Sequence, residues 1–168
     1  MEDHVSQQTE LARSILINAI RPALAAMDKG GLAAEQLLLG TAIQESLLVH
    51  RQQLGGGPAL GLFQMEPATH DDCWTNFLNF RAPLAEKVKR TLDVGQQPVA
   101  ETLRVNDRYA AAMCRVRYLR VAAPVPAADD IDGLANYWKQ HYNTPLGAGT
   151  PQEFHDKWLA FIDDATFS

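Results

Sequence analysis

The chain has 168 residues, 46% of them hydrophobic and 21% charged, and its formal net charge is −5. This length and composition suit one globular domain with a substantial core. The acidic balance argues against a general nucleic-acid partner, since the most basic stretch is only "KVKR" (Lys87 to Arg90), which is typical of a solvated helix face. Cys73 and Cys114 could form one disulfide, but nothing in the sequence requires it, and their spacing does not suit a zinc finger. We expect both to be buried, reduced thiols.

The N-terminal segment Met1 to Ile20 does not have the pattern of a signal peptide. It begins acidic, and its apolar run "ILINAI" is short and preceded by Arg13. No stretch approaches eighteen consecutive apolar residues, so we expect no membrane span. The sequence therefore predicts a protein made in the cytoplasm without an export signal.

Apolar periodicity predicts a succession of helices. The first covers Val5 to about Met27 and ends at the glycines of "DKGG", and the second covers roughly Ala34 to His50. Three glycines and a proline in "RQQLGGGPAL" (51–60) break the helical pattern. The "GLFQM" that follows is expected to be a short strand or an extended segment, and Pro67 suits the first turn of the next helix.

The rest of the chain is predicted to be helical, with a linker at "AAPVPAADD" and a turn-rich loop at "YNTPLGAGTP". The sequence has no internal repeat and predicts one mainly α domain over 1–168. It comprises an N-terminal helix and turn (1–33), a core region (34–149) and a C-terminal helix (150–168). The further predicted helices cover "ATHDDCWTNFLNF", "APLAEKVKRTLDV", about Ala100 to Val121, about Ile131 to His141 and Pro151 to Asp164.

One carboxylate, Glu45, interrupts the apolar second helix. The residues that share its helix face are mostly apolar: Leu38, Thr41, Ala42, Leu48 and Val49. Burial among them would raise the pKa of Glu45, as a general acid requires. The alternative is a surface glutamate that faces solvent or pairs with an arginine. Likewise the glycines at 55–57 form either a cleft open to a bulky ligand or a plain loop.

The "QES" of this helix, together with "ALGLFQMEPATH", resembles the lytic transglycosylase family of the lysozyme-like superfamily. That family has a catalytic Glu followed by Ser on a helix, then a "GLMQ" segment and a Pro-x-Thr step. Two later stretches, "NDRYAAAMCRVRYLR" and "LANYWKQHYNTPLGAG", resemble the family's long helix and its Tyr-Asn signature. The resemblance covers roughly 34–149 and implies a lysozyme-like fold of the goose-type or lytic transglycosylase kind. The matching positions are Glu45, Ser46, Gly61, Leu62, Gln64, Pro67, Thr69, Tyr142 and Asn143.

The resemblance implies cleavage of the β-1,4 bond between N-acetylmuramic acid and N-acetylglucosamine in peptidoglycan, with no cofactor and no metal. Glu45 would protonate the glycosidic oxygen and then take a proton from the sugar's 6-hydroxyl, which yields a 1,6-anhydro end. Tyr142 is expected to hydrogen-bond Glu45 and position it. The implied substrate-binding residues are Ser46, Gln64, Tyr142, Asn143 and Gly61.

Three positions depart from the family pattern. Phe63 replaces the usual Met, Thr144-Pro145 follow the Tyr-Asn pair where Ala-Gly is usual, and Glu66 stands where an apolar residue is usual. At Glu66 the sequence resembles goose-type lysozymes, which have an aspartate there. Glu66, or less favourably Asp71 or Asp72, is thus a candidate second carboxylate that would activate water in an inverting hydrolase. The alternative for each is a solvent-facing acid near a helix N-terminus.

The supporting side chains also have structural alternatives. Ser46 would otherwise bond its own helix backbone, Gln64 would be an ordinary strand-end amide, and Tyr142 a core tyrosine with a wet hydroxyl. Phe63 is expected to pack rather than to stack on sugar. The tryptophans are expected to anchor the core, with Trp138 close enough in sequence to Tyr142 to line a groove; they are Trp74, Trp138 and Trp158.

Two other classes of protein stay open. The first is a metal-binding protein, since "HDDC" (70–73), His141 and His155 have side chains of the types that bind metals. Against it, adjacent helical residues cannot all face one ion, and no HExxH motif is present. The second is a module that binds glycan without cleaving it, or a structural part of a virion. The acidic net charge counts for this class and against an enzyme, because peptidoglycan is itself anionic and would not be attracted electrostatically to an acidic protein. A wall-cleaving enzyme without an export signal fits a phage product or a secreted effector.

Overall fold

A computed structural model describes residues 2–143 and 146–168, with the side chains from residue 7 onward within those ranges. The fold is mainly α, as predicted, and β pairing among the described residues is limited to two isolated bridges. Thr144 and Pro145, where the sequence departs from the family, lie outside the described residues. The helices are α1 (Glu2–Ile15), α2 (Arg21–Met27), α3 (Leu32–Ser46), α4 (Pro67–Asn76), α5 (Ala82–Lys89), α6 (Thr102–Val105), α7 (Asp107–Leu119), α8 (Ile131–Trp138) and α9 (Pro151–Phe161). A 3₁₀ turn covers Leu78–Phe80, and π-helical turns cover Leu16–Ile20 and Lys139–Asn143.

The predicted first helix is confirmed, although it begins at Glu2 and changes its winding midway. The π-helical turn Leu16–Ile20 joins α1 to α2, and Pro22 lies in the first turn of α2. A proline removes one backbone donor, and a local π turn is a common way for a helix to accommodate such an interruption. The helix ends at Asp28, whose left-handed backbone (φ 55°) takes the place expected of a glycine.

Helix α3 lies at the centre of the fold and packs against α1, α7, α8 and α9. Most of its side chains are apolar, and most are buried, as expected for a helix surrounded by others. Gly40 allows α9 to come close, since a Cβ atom there would lie 2.3 Å from Cζ of Phe154. Any side chain at this position would therefore force the buried Phe154 ring to shift and disturb the packing of α9 on the central helix.

Helix α3 ends at Ser46, four residues before the predicted end. Leu47 and Leu48 have left-handed backbones (φ 52° and 62°) and stop the helix without a glycine. Leu48 and Val49 therefore do not share the helical face of Glu45, contrary to the prediction; Leu48 is buried in the turn and Val49 is exposed. The break leaves Glu45 in the last turn of an otherwise buried helix.

The "GLFQM" segment is a tight turn, so the prediction of a short strand or extended segment is wrong. Paired backbone hydrogen bonds between Leu60 and Met65, of 3.0 and 3.1 Å, close the turn. Gly61 has a left-handed backbone (φ 80°), and a Cβ atom there would lie 2.4 Å from the carbonyl oxygen of Leu103. This close approach fixes the turn against α6.

The chain after the turn follows the predicted order of helices with one correction. Helix α4 begins at Pro67 as predicted, and α4 and α5 each end earlier than expected. The predicted long helix from Ala100 to Val121 is instead divided into α6 and α7. Asn106 divides it because its backbone is extended and its Oδ1 accepts the amide hydrogen of Tyr109 at 3.0 Å, which caps α7.

One connected core of buried side chains extends from Ala12 on α1 to Phe161 on α9. Cys73 and Cys114 lie in it as free, buried thiols, which confirms the prediction. Trp138 is completely buried and Trp158 nearly so, whereas Trp74 is half-buried. In the described part of the chain, no helix has the length and apolar character needed to cross a membrane.

Candidate active site

Glu45 lies in the last turn of α3, on the wall of a cavity. Its side chain is half-buried, and its Oε1 accepts a hydrogen bond from Nε1 of Trp138 at 3.0 Å. Trp138 comes from α8 and packs against Phe154 of α9, with 5.7 Å between the ring centroids. Because an indole N–H only donates, one carboxyl oxygen of Glu45 is held as an acceptor. The buried indole therefore fixes the orientation of the carboxyl group.

Burial raises the pKa of Glu45 above its ordinary value, as the sequence predicts. Desolvation is the main cause. The position at the carboxyl end of α3 acts in the same direction, because the unpaired helix carbonyls disfavour a negative charge there. The Trp138 hydrogen bond and the charges of Lys157 and Arg117 favour the carboxylate but have smaller effects. The result is an acid that keeps its proton at a higher pH than an exposed glutamate does.

The cavity beside Glu45, here called the first cavity, has a volume of about 540 Å³. Its size is in the range of sites that hold small ligands. It lies between the end of α3, the loop and turn before α4, helix α7, and the π-helical turn with the loop that follows it. The lining residues are Glu45, Gln53, Ala59, Gln64, Glu66, Thr69, Arg117, Tyr142, Asn143, Gly147 and Ala148.

Glu66 also lines the first cavity. It is exposed and holds the N-cap position of α4 with an extended backbone, but its side chain makes no capping hydrogen bond. Its carboxylate is therefore free to act on a ligand. The less favoured alternatives bond elsewhere: Asp71 contacts the adjacent histidine ring at 2.9 Å, and Asp72 contacts Arg120 at 2.7 Å. Neither of these aspartates lines the first cavity.

Gln64 lines the first cavity from the tight turn. Its backbone is left-handed (φ 48°), and its Nε2 donates to the carbonyl oxygens of Gly61 at 3.0 Å and His50 at 3.2 Å. These bonds tie the turn to the chain that leaves α3 and fix the side-chain amide. Since both hydrogens of Nε2 are used, the amide oxygen is the atom available to a ligand donor such as an acetamido N–H.

The Tyr142 hydroxyl does not bond Glu45, contrary to the prediction from the family resemblance. It donates instead to the carbonyl oxygen of Phe63 at 2.6 Å. Burial raises the pKa of Tyr142 well above its ordinary value, so the hydroxyl stays neutral and able to donate. Tyr142 therefore holds the turn that carries Gln64, and the role expected of it at Glu45 belongs to the Trp138 indole.

Arg117, on α7, lines the first cavity and is missing from the sequence predictions. Its guanidinium lies over the ring of Tyr142, 4.8 Å from the centroid, and its Nη2 donates to the Tyr142 carbonyl oxygen at 2.7 Å. It thus brings a permanent positive charge to the lining that it shares with Glu45. The sequence feature that could have indicated it is that Arg117 stands between Val116 and Tyr118, two residues suited to the core.

Asn143 lines the cavity beside the loop residues Gly147 and Ala148. Its Oδ1 accepts a hydrogen bond from Nζ of Lys139 at 2.7 Å, and the same Nζ donates to the Gly147 carbonyl oxygen at 2.8 Å. One ammonium group therefore ties the π-helical turn to the loop after it. This arrangement keeps the loop at the rim of the first cavity.

Two of the predicted substrate-binding residues lie outside the cavity lining. Ser46 is buried, and its Oγ donates to the Ala42 carbonyl oxygen at 2.9 Å and accepts from the Leu48 amide at 3.2 Å. It stabilises the end of α3, which is the backbone role that the sequence left open. Gly61 is buried against the Leu103 carbonyl. Both residues therefore shape the site without reaching the space where a ligand would bind.

The side chains of "HDDC" are held by two sets of contacts: His70 bonds Asp71 and Tyr109, whereas Asp72 and Cys73 both contact Arg120. His70 is fully buried, with Nδ1 2.9 Å from an Asp71 oxygen and Nε2 2.6 Å from the Tyr109 hydroxyl, which also accepts Nε1 of Trp74 at 2.9 Å. Because a carboxylate only accepts, Nδ1 carries the ring hydrogen and the Tyr109 hydroxyl donates to Nε2. Burial lowers the pKa of His70, which suits this neutral ring. Among the described residues, no group of three or more His, Cys, Asp or Glu side chains is placed to hold a metal ion.

Comparisons of this chain with models of protein families, with curated proteins and with solved structures found no match. The residues of the site therefore provide the evidence for the class of protein. The first cavity combines an oriented acid with raised pKa, a second carboxylate, a fixed amide and a guanidinium. Such an arrangement suits acid–base chemistry on a polar ligand.

Proposed function

We propose that the protein is a lysozyme-like glycosidase that cleaves the glycan strands of peptidoglycan as a lytic transglycosylase. The observation that carries the proposal is Glu45, a half-buried acid of raised pKa that the Trp138 indole orients on the wall of the first cavity. The motif resemblance that runs from "QES" to the Tyr-Asn pair supports the same function, and a lysozyme-like fold is part of the proposal.

In the first step, Glu45 acts as general acid. Its Oε1 accepts the indole hydrogen, so the acid proton resides on Oε2 and is directed at the glycosidic oxygen of N-acetylmuramic acid. Protonation breaks the bond from C1 to that oxygen, while the oxygen of the substrate's own acetamido group attacks C1. The Gln64 amide oxygen, which is the free end of a fixed side chain, receives the N–H of an acetamido group.

In the second step, the Glu45 carboxylate acts as general base. It removes the proton from the 6-hydroxyl of the same sugar, whose oxygen then attacks C1 and displaces the acetamido oxygen. The product is a 1,6-anhydro sugar, and Glu45 regains the proton it gave up. No second carboxylate is needed, which makes this one of the substrate-assisted exceptions to glycosidases with two carboxylates.

A second candidate function is hydrolysis with Glu66 as general base. The observation that favours it is that Glu66 lines the same cavity as Glu45 and is not used as a helix cap. In an inverting glycosidase the base carboxylate lies roughly 6.5–9.5 Å from the acid and activates a water molecule on the opposite face of the sugar. Hydrolysis would leave a reducing end, which is heavier than the anhydro end by one water.

Mass spectrometry of purified peptidoglycan after digestion tests both functions. For the transglycosylase, wild-type protein releases anhydro-muropeptides, Glu45→Gln lowers the rate by about 10²–10⁴-fold, and Glu66→Gln retains activity. Glu45→Gln is a close test because the amide oxygen still accepts the Trp138 hydrogen. Glu10→Gln, an exposed carboxylate on α1 far from the lining residues in sequence, is the matched control.

Other products would redirect the assignment. Reducing-end fragments that disappear with either Glu45→Gln or Glu66→Gln indicate the two-carboxylate hydrolase. The absence of any soluble fragment from wild type, together with unchanged binding of Glu45→Gln to cell walls, would contradict both enzymatic functions. That result would instead favour a module that binds glycan without cleaving it.

A further inference from the structure

A second cavity, of about 430 Å³, adjoins the first. Thr69 and Arg117 line both cavities, so the two form neighbouring parts of one groove between α4 and α7. A ligand that occupies the first cavity would therefore have a side branch within reach of the second. Besides Thr69 and Arg117, its lining includes Ala68, Asp72, Arg120, Val121 and His141.

The second cavity is positively charged although the whole chain carries a formal charge of −5. Two guanidinium groups line it, those of Arg117 and Arg120, against one carboxylate, that of Asp72. Arginine stays protonated in proteins, so these groups leave a local excess of one positive charge, with His141 as a further donor or acceptor. A local excess of this sign attracts an anionic group even on an acidic protein.

Both guanidinium groups keep N–H donors that the described residues do not use. Arg117 donates through Nη2 to the Tyr142 carbonyl. Arg120 donates through Nη1, at 2.7 Å to Asp72 and at 3.7 Å to the sulfur of Cys73. Each guanidinium has five N–H donors in a planar fork, so each retains donors for a carboxylate, the anion whose shape that fork matches.

We propose that the second cavity binds a carboxylate of the peptide that peptidoglycan carries on its N-acetylmuramic acid, while the glycan lies in the first cavity. The inference rests on the proposed function, because the peptide is a branch of that same substrate. The branch is carried by the same sugar ring whose C1 bond Glu45 would cleave. The second cavity, joined to the first at Thr69 and Arg117, is a positively charged space that adjoins the cavity assigned to that ring.

Binding of the free peptide tests this inference without any need for cleavage. The probe is the synthetic tetrapeptide L-Ala-γ-D-Glu-L-Lys-D-Ala, and the matched probe is the same peptide with its carboxyl groups amidated. NMR titration of the full chain should shift the backbone amide signals of Ala68, Thr69 and Val121 with the acidic peptide. The amidated peptide should bind about tenfold more weakly, because hydrogen bonds to a charged group are lost.

Two variants assign the effect to the second cavity. Arg120→Gln removes a guanidinium that lines the second cavity and not the first, and it should weaken binding of the acidic peptide by about tenfold. Asp72→Asn removes the opposing carboxylate at nearly constant shape and should tighten binding. Equal binding of the acidic and amidated peptides by wild type would overturn the inference, and this comparison does not depend on the folding of any variant.

Cleavage of peptide-free glycan strands by wild type separates this inference from the proposed function. If the protein cleaves the strands but does not bind the tetrapeptide, the peptide site is overturned and the glycosidase proposal stands. Selective tetrapeptide binding without cleavage of either strands or intact peptidoglycan would support the site and overturn the glycosidase proposal.

Discussion

Replacing Tyr109 by Phe should destabilise the fold far more than the loss of one oxygen atom suggests. The Tyr109 hydroxyl donates to Nε2 of His70 at 2.6 Å and accepts from Nε1 of Trp74 at 2.9 Å, which ties α7 to α4. His70 is fully buried and Trp74 is half-buried. Phe would fill nearly the same volume but leave both nitrogen atoms without their partner.

The magnitude follows from those two unpaired groups. Each buried polar group left without a partner costs about 1–3 kcal/mol, and water can reach Trp74 more readily than His70. We therefore expect the free energy of unfolding to fall by about 3 kcal/mol. For a chain of this length, that corresponds to a decrease of roughly 6–12 °C in the melting temperature.

Urea denaturation of wild type, Tyr109→Phe and Tyr137→Phe measures the effect. Tyr137 is the matched control, because its hydroxyl makes a single hydrogen bond, at 2.9 Å to the carbonyl oxygen of the exposed Ala123. Its removal should cost about 0.5–1.5 kcal/mol. If Tyr109→Phe proved no more destabilising than Tyr137→Phe, the reasoning about the buried network would be refuted.

Three further predictions concern the turn, the buried histidine and the proposed acid. Gly61→Ala should lower the free energy of unfolding, measured in urea, by about 2–5 kcal/mol, because it adds both backbone strain and overpacking. Gly56→Ala is the control: no atom lies within 4 Å of its new Cβ, so its stability should fall only by the cost of the backbone strain. Stability should fall as the pH drops below about 6.5, the ordinary pKa of His70, because its lowered pKa lets the unfolded chain bind a proton that the folded chain does not; His70→Gln should reduce this loss. Trp138→Phe should raise the pKa of Glu45 in a ¹³C NMR titration of the glutamate carboxyls and move the alkaline limb of any cleavage activity upward, and an unchanged pKa would contradict the role given to the indole.

Much of the helical order was predictable from apolar periodicity, but the helix ends depended on local geometry. Asn106 divides a stretch whose apolar pattern is continuous, and an asparagine in that position is a recognisable N-cap. The end of α3 carries no such signal, since Leu47 and Leu48 take left-handed backbones that leucine rarely adopts. Packing around the helix end overrides the local preference there.

The candidate site was only partly predictable, because its decisive contacts join distant parts of the chain. Apolar periodicity indicated Glu45 as a candidate acid, and the family resemblance supplied the motif residues that line the first cavity. The sequence left open whether the glycines at 55–57 border a ligand or form a plain loop; Gln53 and Ala59, and none of these glycines, line the first cavity. The hydrogen bond from Trp138 to Glu45 spans 93 positions, and no local pattern specifies which buried indole meets a given acid.

The surroundings of Glu45 favour each of its two protonation states through a different group, and the proposed mechanism uses both. Desolvation and the helix end favour the protonated acid, which the first step requires. The Trp138 N–H, Lys157 and Arg117 favour the carboxylate, which must persist until it removes a proton from the 6-hydroxyl. An acid stabilised by burial alone would give up its proton reluctantly, and one paired closely with an arginine would already have lost it. A neutral N–H donor that bonds one oxygen, with the cations exerting smaller effects, keeps both states accessible to the same side chain.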